Sequence, residues 1–86
     1  MKYEVEFTRS AEREFEKLQR AVRDRLGRKF LKLESDPRKL PGVTKLSGAE
    51  DLYRLRDGDY RAIFQINDRT KTVTLTKIAH RRDIYR

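Results

Sequence analysis

An α+β fold is predicted, with two helices packed on a mainly antiparallel sheet in the order β-α-α-β-β-β. Three observations predict it. Apolar residues alternate at the N-terminus, recur at helical spacing through the next stretch, and alternate again to the end of the chain. A short break divides the helical stretch into two amphipathic segments. Asp57-Gly58 stands between two alternating segments, which is a strong local hairpin signal because a type I′ turn needs positive φ at both central positions.

Each element follows in turn. In residues 2–7, Tyr3, Val5 and Phe7 share one face while Lys2, Glu4 and Glu6 share the other, the pattern of a half-buried strand. Thr8 or Ser10 can cap the helix that follows, and Glu12 and Glu14 lie in its first turns, where the helix dipole favours acids. Its apolar stripe is Ala11, Phe15 and Leu18. After a break near Gln19-Arg20, Val22, Leu26, Phe30 and Leu33 form the stripe of a second helix, with Gly27 as a mild defect. Asp36-Pro37 ends it, because a residue before proline disfavours the helical region. Residues 37–51 read as a loop, with Pro37, Pro41, Gly42 and Gly48. A three-stranded antiparallel meander is then expected at 52–56, 59–67 and 72–79. In the middle strand Tyr60, Ala62, Phe64 and Ile66 share one face, and in the last Val73 and Leu75 are the expected core positions. Two adjacent amphipathic helices fold as a hairpin against such a sheet.

The 86 residues make one domain, 1–86, with one modest core. No cysteine is present, so a disulfide framework and a Cys-type zinc site are excluded, and a single His excludes a His-cluster metal site. No metal or cofactor is expected. The N-terminus lacks the apolar stretch of a signal peptide and no apolar run is long enough to span a membrane, so the expected location is the cytoplasm, away from membranes.

Charge is unevenly distributed. Of the net +8, residues 52–86 carry +5, with nine Lys/Arg against four Asp/Glu. On a strand Arg54 and Arg56 must project from the same side. A rigid sheet offering Arg54, Arg56, Arg61, Arg81, Arg82 and a tyrosine suits a phosphate backbone, which makes RNA, DNA or a protein mimic of them the leading class of partner. The same residues also admit structural roles. Arg54 and Arg56 could pair with Asp57 or Asp59, and Arg61 with Asp83. Tyr85 could cover the sheet edge, His80 could be a surface or capping residue, and Tyr53 and Tyr60 could belong to the core. The helix cations Arg13, Arg20, Arg23, Arg25 and Arg28 interleave with acids and read as a solvated face.

Together these motifs resemble the RelE/ParE superfamily of small bacterial and archaeal toxins. The resemblance runs over nearly the whole chain. It rests on Tyr3…Val5…Phe7-Thr8…Ala11, Lys17-Leu18, Asp36-Pro37-Arg38 and Lys45-Leu46-Ser47-Gly48 in the first half. It continues through Leu52-Tyr53-Arg54-Leu55-Arg56, Gly58-Asp59-Tyr60-Arg61 and His80-Arg81-Arg82-Asp83-Ile84-Tyr85. It implies a toxin neutralised by a cognate antitoxin, often acidic or amphipathic. RelE-like members act as endoribonucleases that cut mRNA in the ribosomal A site and so inhibit translation. ParE-like members poison DNA gyrase and are not nucleases.

Metal-free RNA cleavage by the 2′-hydroxyl needs a base, an acid for the leaving 5′-oxygen, and cations for the charge developing on phosphate. The resemblance places the catalytic role on Arg61, Arg81 and Tyr85. Arg61 and Arg81 would stabilise phosphate, and Tyr85 would stack on a base or transfer a proton. Arg54 and Arg56, with His80 and Arg82, would position and bind RNA. The family's sheet lysines are replaced here by Arg54 and Arg56. Arginine keeps the charge and binds phosphate bidentately, but it is a poor general base. His80 is a further proton-transfer candidate, ranked below Tyr85. The expected activity is therefore ribosome-dependent mRNA cleavage. The alternatives are gyrase inhibition on the same fold and an RNA-binding module without toxicity.

Overall fold

A computed structural model describes residues 2–46, 48 and 51–84 of the chain. The elements are β1 (Glu4–Phe7), α1 (Arg9–Glu16), α2 (Arg20–Lys32), β2 (Val43–Lys45), β3 (Leu52–Asp57), β4 (Tyr60–Asn67) and β5 (Thr72–His80). The five strands lie in the order β1-β5-β4-β3-β2. Strand β1 runs parallel to β5 and every other pairing is antiparallel. The expected α+β architecture is present, with one strand added. Strand β2 lies within the stretch read as a loop. At three residues it is too short to show an alternation, and it pairs along one edge of β3.

Helix α1 starts where its sequence says it should. The Thr8 hydroxyl accepts a hydrogen bond from the Ala11 amide at 3.1 Å, satisfying one of the first orphan donors. Both helices lie on one face of the sheet. Ala11, Leu26, Phe30 and Leu33 meet Leu55, Phe64, Ile66, Val73 and Leu75, all at 3% exposure or less. Each such aliphatic or aromatic side chain contributes roughly 1.5–3 kcal/mol by leaving water. Phe7, Phe15 and Phe30 close the end of this core nearest β1, with ring centroids 5.3–5.8 Å apart. Gly27 sits over Phe15, where a Cβ would lie 3.6 Å from the ring, an ordinary contact.

The β3–β4 connection differs in detail from expectation. Asp57 pairs with Tyr60, so the two central turn residues are Gly58 and Asp59. Of these only Gly58 has positive φ, at 60°, which is the pattern of a type II′ turn. The glycine is required at the first central position, and Asp59 is left in an ordinary conformation.

Strand β5 carries a bulge. Ile63 pairs with Lys77 and Phe64 with Leu75, so Thr76 is the extra residue. The Thr76 hydroxyl donates to the Ile63 carbonyl at 3.2 Å. The Ile78 amide donates to Glu14 Oε1 of α1 at 2.8 Å. A helix side chain thus satisfies backbone in the bulged strand. Among the described residues no helix is long and apolar enough to cross a membrane.

Candidate nucleic-acid interface

The sheet face opposite the helices is built from two rows of cross-strand neighbours. One row is Arg56, Arg61 and Ala79, and the next is Arg54, Ile63 and Lys77. Alternation along β3 fixes Arg54 and Arg56 on this face because Tyr53, Leu55 and Asp57 are turned to the other. Arg56 and Arg61 stand directly opposite each other, a placement that disfavours folding when both side chains are cationic.

Arg61 is anchored by backbone. Its Nη1 donates to the Gly58 carbonyl at 2.7 Å and to the Tyr60 carbonyl at 2.9 Å. No pair with Asp83 forms, since the guanidinium takes turn carbonyls instead of a carboxylate. Burial first, then the charges of Arg56, Arg54 and Arg81, lower its pKa from the ordinary arginine value, with Asp59 opposing weakly. The guanidinium stays protonated. The shift identifies four arginines sharing one field. Arg56 has no ion-pair partner among the described residues.

Arg81 leaves β5 beside the same turn. Its amide donates to the Asp59 carbonyl at 2.7 Å, and its Nε lies 3.7 Å from Asp59 Oδ1. Both side chains are more than half exposed, so this long contact neutralises little.

The carboxylate expected to quench this face points elsewhere. Asp57 is buried on the helix side, where Arg25 Nε donates to it at 2.7 Å and Lys29 Nζ lies 3.1 Å away. Burial would raise its pKa, but the two hydrogen-bonded cations outweigh burial and hold the carboxyl below its usual range. Arg25, read from sequence as part of a solvated face, is thus committed to Asp57 together with Lys29. Arg54 and Arg56 are not paired with it.

The other expected site residues divide. His80 pairs in register with Tyr60, its ring edge-on to the tyrosine with centroids 5.5 Å apart. Its Nδ1 accepts the Arg82 amide at 3.2 Å. It therefore faces the helix side, away from Arg61 and Ala79. Arg82 is exposed in the turn after β5. Tyr85 lies outside the described residues. Tyr53 is buried at 8% exposure and stacks on Phe64, and Tyr60 is half-buried against the core.

Two residues of this region were not singled out from sequence. Lys77 reaches the basic face only because of the bulge, since alternation from Val73 and Leu75 would turn it inward. Ile78, apolar and out of phase with that alternation, is the signal that could have shown it. Glu14 gave no signal beyond its place in the first turns of α1. Among the described residues no group of three or more His, Cys, Asp or Glu could hold a metal ion.

The profile of the ParE toxin of type II toxin–antitoxin systems, parDE, matches residues 5–85. Toxin RelG of Mycobacterium tuberculosis is 34% identical over 89 residues, covering 100% of this chain and 99% of RelG. The archaeal RelE–RelB complex from Pyrococcus horikoshii contains a chain that superposes with a TM-score of 0.82 at 32% identity, covering 94% of this chain and 97% of that one. The isolated Escherichia coli RelE toxin superposes with a TM-score of 0.81 at 26% identity, covering 91% and 83%.

Proposed function

The chain belongs to the RelE/ParE superfamily of type II toxin–antitoxin toxins, and from that premise we propose that it is an endoribonuclease that cuts mRNA in the ribosomal A site. The observation that carries this reading is the open face of Arg54, Arg56, Arg61 and Arg81, four cations in one field. Arg56 and Arg61 stand directly opposite each other, a like-charge placement that disfavours folding, so the face favours a polyanion. Arg61, anchored at 2.7 and 2.9 Å by two carbonyls, is held ready to meet charge developing on a phosphate. Arg54 and Arg56 would grip the neighbouring phosphates, and Arg82 would extend the contact along the strand. Tyr85 would stack on a base or transfer a proton.

The chemistry needs no metal. The 2′-oxygen attacks phosphorus, the 5′-oxygen leaves, and the arginines stabilise the pentavalent phosphate between them. Structured complexes of relatives pair RelE with RelB. By analogy a cytoplasmic antitoxin, acidic or amphipathic, would cover the basic sheet or dock against the helices until the toxin is released.

The deciding experiment is a cleavage assay on 5′-labelled mRNA with and without programmed ribosomes. Cuts at a fixed position of the A-site codon, seen only with ribosomes, are expected. Intact mRNA in both lanes overturns the nuclease reading. A second reading, non-enzymatic inhibition of DNA gyrase, is favoured by the match to the ParE toxin profile and by arginine at both Arg54 and Arg56. Inhibited supercoiling together with intact mRNA would establish it.

A further inference from the structure

We propose that Leu52, Ile63 and Gln65 form a base-reading site that selects adenine, an inference that rests on RNA being the partner proposed above. The open face continues past its two cationic rows. The next row is Leu52, Gln65, Thr74 and Glu6, and the one beyond is Asn67, Thr72 and Glu4. Glu4 and Glu6 are exposed along the β1 edge. The face therefore changes sign along the strands, from arginines beside the β3–β4 turn to carboxylates at the far corner. A phosphate backbone is drawn to the first half and repelled from the second.

The ground between is uncharged at Leu52, Ile63, Gln65 and Thr74. Alternation would place polar residues on the solvent side of a sheet covered by helices on its other face. Leu52 and Ile63 break that rule. Both are half-buried, and neither joins the core or packs against it. Leu52 stands directly opposite Gln65, and Arg54 directly opposite Ile63. The four side chains mark a square on β3 and β4, with the two apolar ones on one diagonal and the amide and guanidinium on the other. Diagonal neighbours on a sheet are about 7–8 Å apart, close enough for the base and the phosphate of one nucleotide.

A nucleotide asks for the same set of contacts. Its phosphate needs a cation, the flat face of its base needs apolar surface, and the edge of its base needs hydrogen-bonding groups. Arg54 supplies the first, Leu52 with Ile63 the second, and the exposed Gln65 amide the third. Against adenine the amide oxygen accepts from N6 and the amide nitrogen donates to N7, the bidentate pairing of glutamine with this base. Guanine presents O6 and N7, two acceptors, on that edge and leaves the amide oxygen facing an oxygen. Pyrimidines have no N7 and cover less of the Leu52–Ile63 surface. Glu6, at the end of the same row, keeps phosphate off the site, so a base and not the backbone settles there.

Equilibrium binding of the whole protein to hexanucleotides of adenine, cytosine and uracil, read by fluorescence anisotropy at fixed salt, tests the site apart from cleavage. The wild type is expected to bind hexa-adenylate about tenfold tighter than either pyrimidine hexamer. Gln65→Leu, at an exposed position that the fold does not depend on, should lose this ratio. Gln65→Glu should shift it toward cytosine, because a carboxylate accepts from the cytosine amino group. Ratios are compared within each variant, so the overall weakening from an added negative charge does not enter. Equal binding of the three RNAs by the wild type overturns the site, and so does an adenine preference that survives in either variant. Wild-type protein that binds none of the three overturns the RNA reading and the site with it. An adenine preference beside intact mRNA on programmed ribosomes supports the site and overturns the nuclease reading alone.

Discussion

At the residue scale, Arg61 is, on the nuclease reading, a charge prepared for a phosphate. Two turn carbonyls fix its direction, while burial and three neighbouring arginines disfavour its charge. Arg61→Ala is expected to lower the cleavage rate by about 10²-fold, comparable to the removal of one preorganised donor from an oxyanion site. Because relief of crowding offsets the lost hydrogen bonds, its melting temperature should barely change. The double variant Arg61→Ala/Arg81→Ala should abolish growth arrest on expression, and arrest by this variant in folded form is the contrary result.

Asp57 is the opposite case, a charge committed to the fold. Asp57→Asn leaves Arg25 and Lys29 facing each other without an anion and should cost about 2 kcal/mol, tempered by the partial exposure of both cations. Thermal or urea unfolding reads this directly. Cleavage by the surviving folded fraction should be normal, because Asp57 faces away from the arginines.

At the scale of the element, legibility follows periodicity. The stripes Ala11–Phe15–Leu18 and Leu26–Phe30–Leu33 could be read because a helix face repeats over several turns, and those residues do line the core or pack against it. Strand β2 could not, because three residues carry no period. Its position is set by Gly42, whose φ is 93° and whose carbonyl accepts the Arg56 amide at 2.9 Å. A Cβ on Gly42 would sit 2.7 Å from the Arg56 carbonyl oxygen, a backbone atom that cannot rotate away. Gly42→Ala should therefore cost roughly 1–3 kcal/mol of strain. It should also loosen the segment that carries Arg56, so lost stability and weaker RNA binding should appear together in melting and filter-binding experiments. The bulge in β5 left a trace in the out-of-phase Ile78, but what holds it was illegible for another reason. Its capture of Glu14 joins residues 64 positions apart, a distance over which sequence spacing says nothing. The cations of the candidate site were legible as residues on alternating strands. That Asp57 would abandon them for α2, and that His80 would turn from them to Tyr60, depended on packing between elements.

For the whole molecule, the net charge of +8, and the gathering of Arg54, Arg56 and Arg61 on one sheet face, set the response to salt and pH. Each phosphate neutralised on single-stranded RNA contributes a slope of about −0.7 to the dependence of log K on log salt. Engagement of Arg54, Arg56, Arg61 and Arg81 predicts a slope near −2.8 by that rule, and Arg56→Ala should reduce its magnitude by about 0.7. Acid acts on the fold through the carboxylates. Asp57 and Asp68 both have folded pKa values below the usual 3.8, Asp68 because Arg38 grips both of its oxygens at 3.1 and 2.8 Å and Tyr3 donates to it at 2.6 Å. A depressed carboxylate stabilises fully above its unfolded pKa and loses that contribution as pH falls through the folded value. Stability should thus be level from neutrality to about pH 5 and fall progressively below about pH 4, with Asp57→Asn showing a shallower acid limb in pH-dependent unfolding.

The parallel pairing of β1 with β5 has a temporal consequence. Strand β1 has β5 as its one neighbour in the sheet, so the first strand to be synthesised must wait for the last. Contacts between distant chain segments carry the loop-closure cost that slows folding. A nascent chain stopped before Thr72 holds its helices and the β3–β4 hairpin but has neither Lys77 nor a partner for β1. The arginine face becomes a rigid surface only after β5 has emerged and paired with β4. On the reading advanced above, the basic face is complete only once β5 has been made and has paired with both β4 and β1.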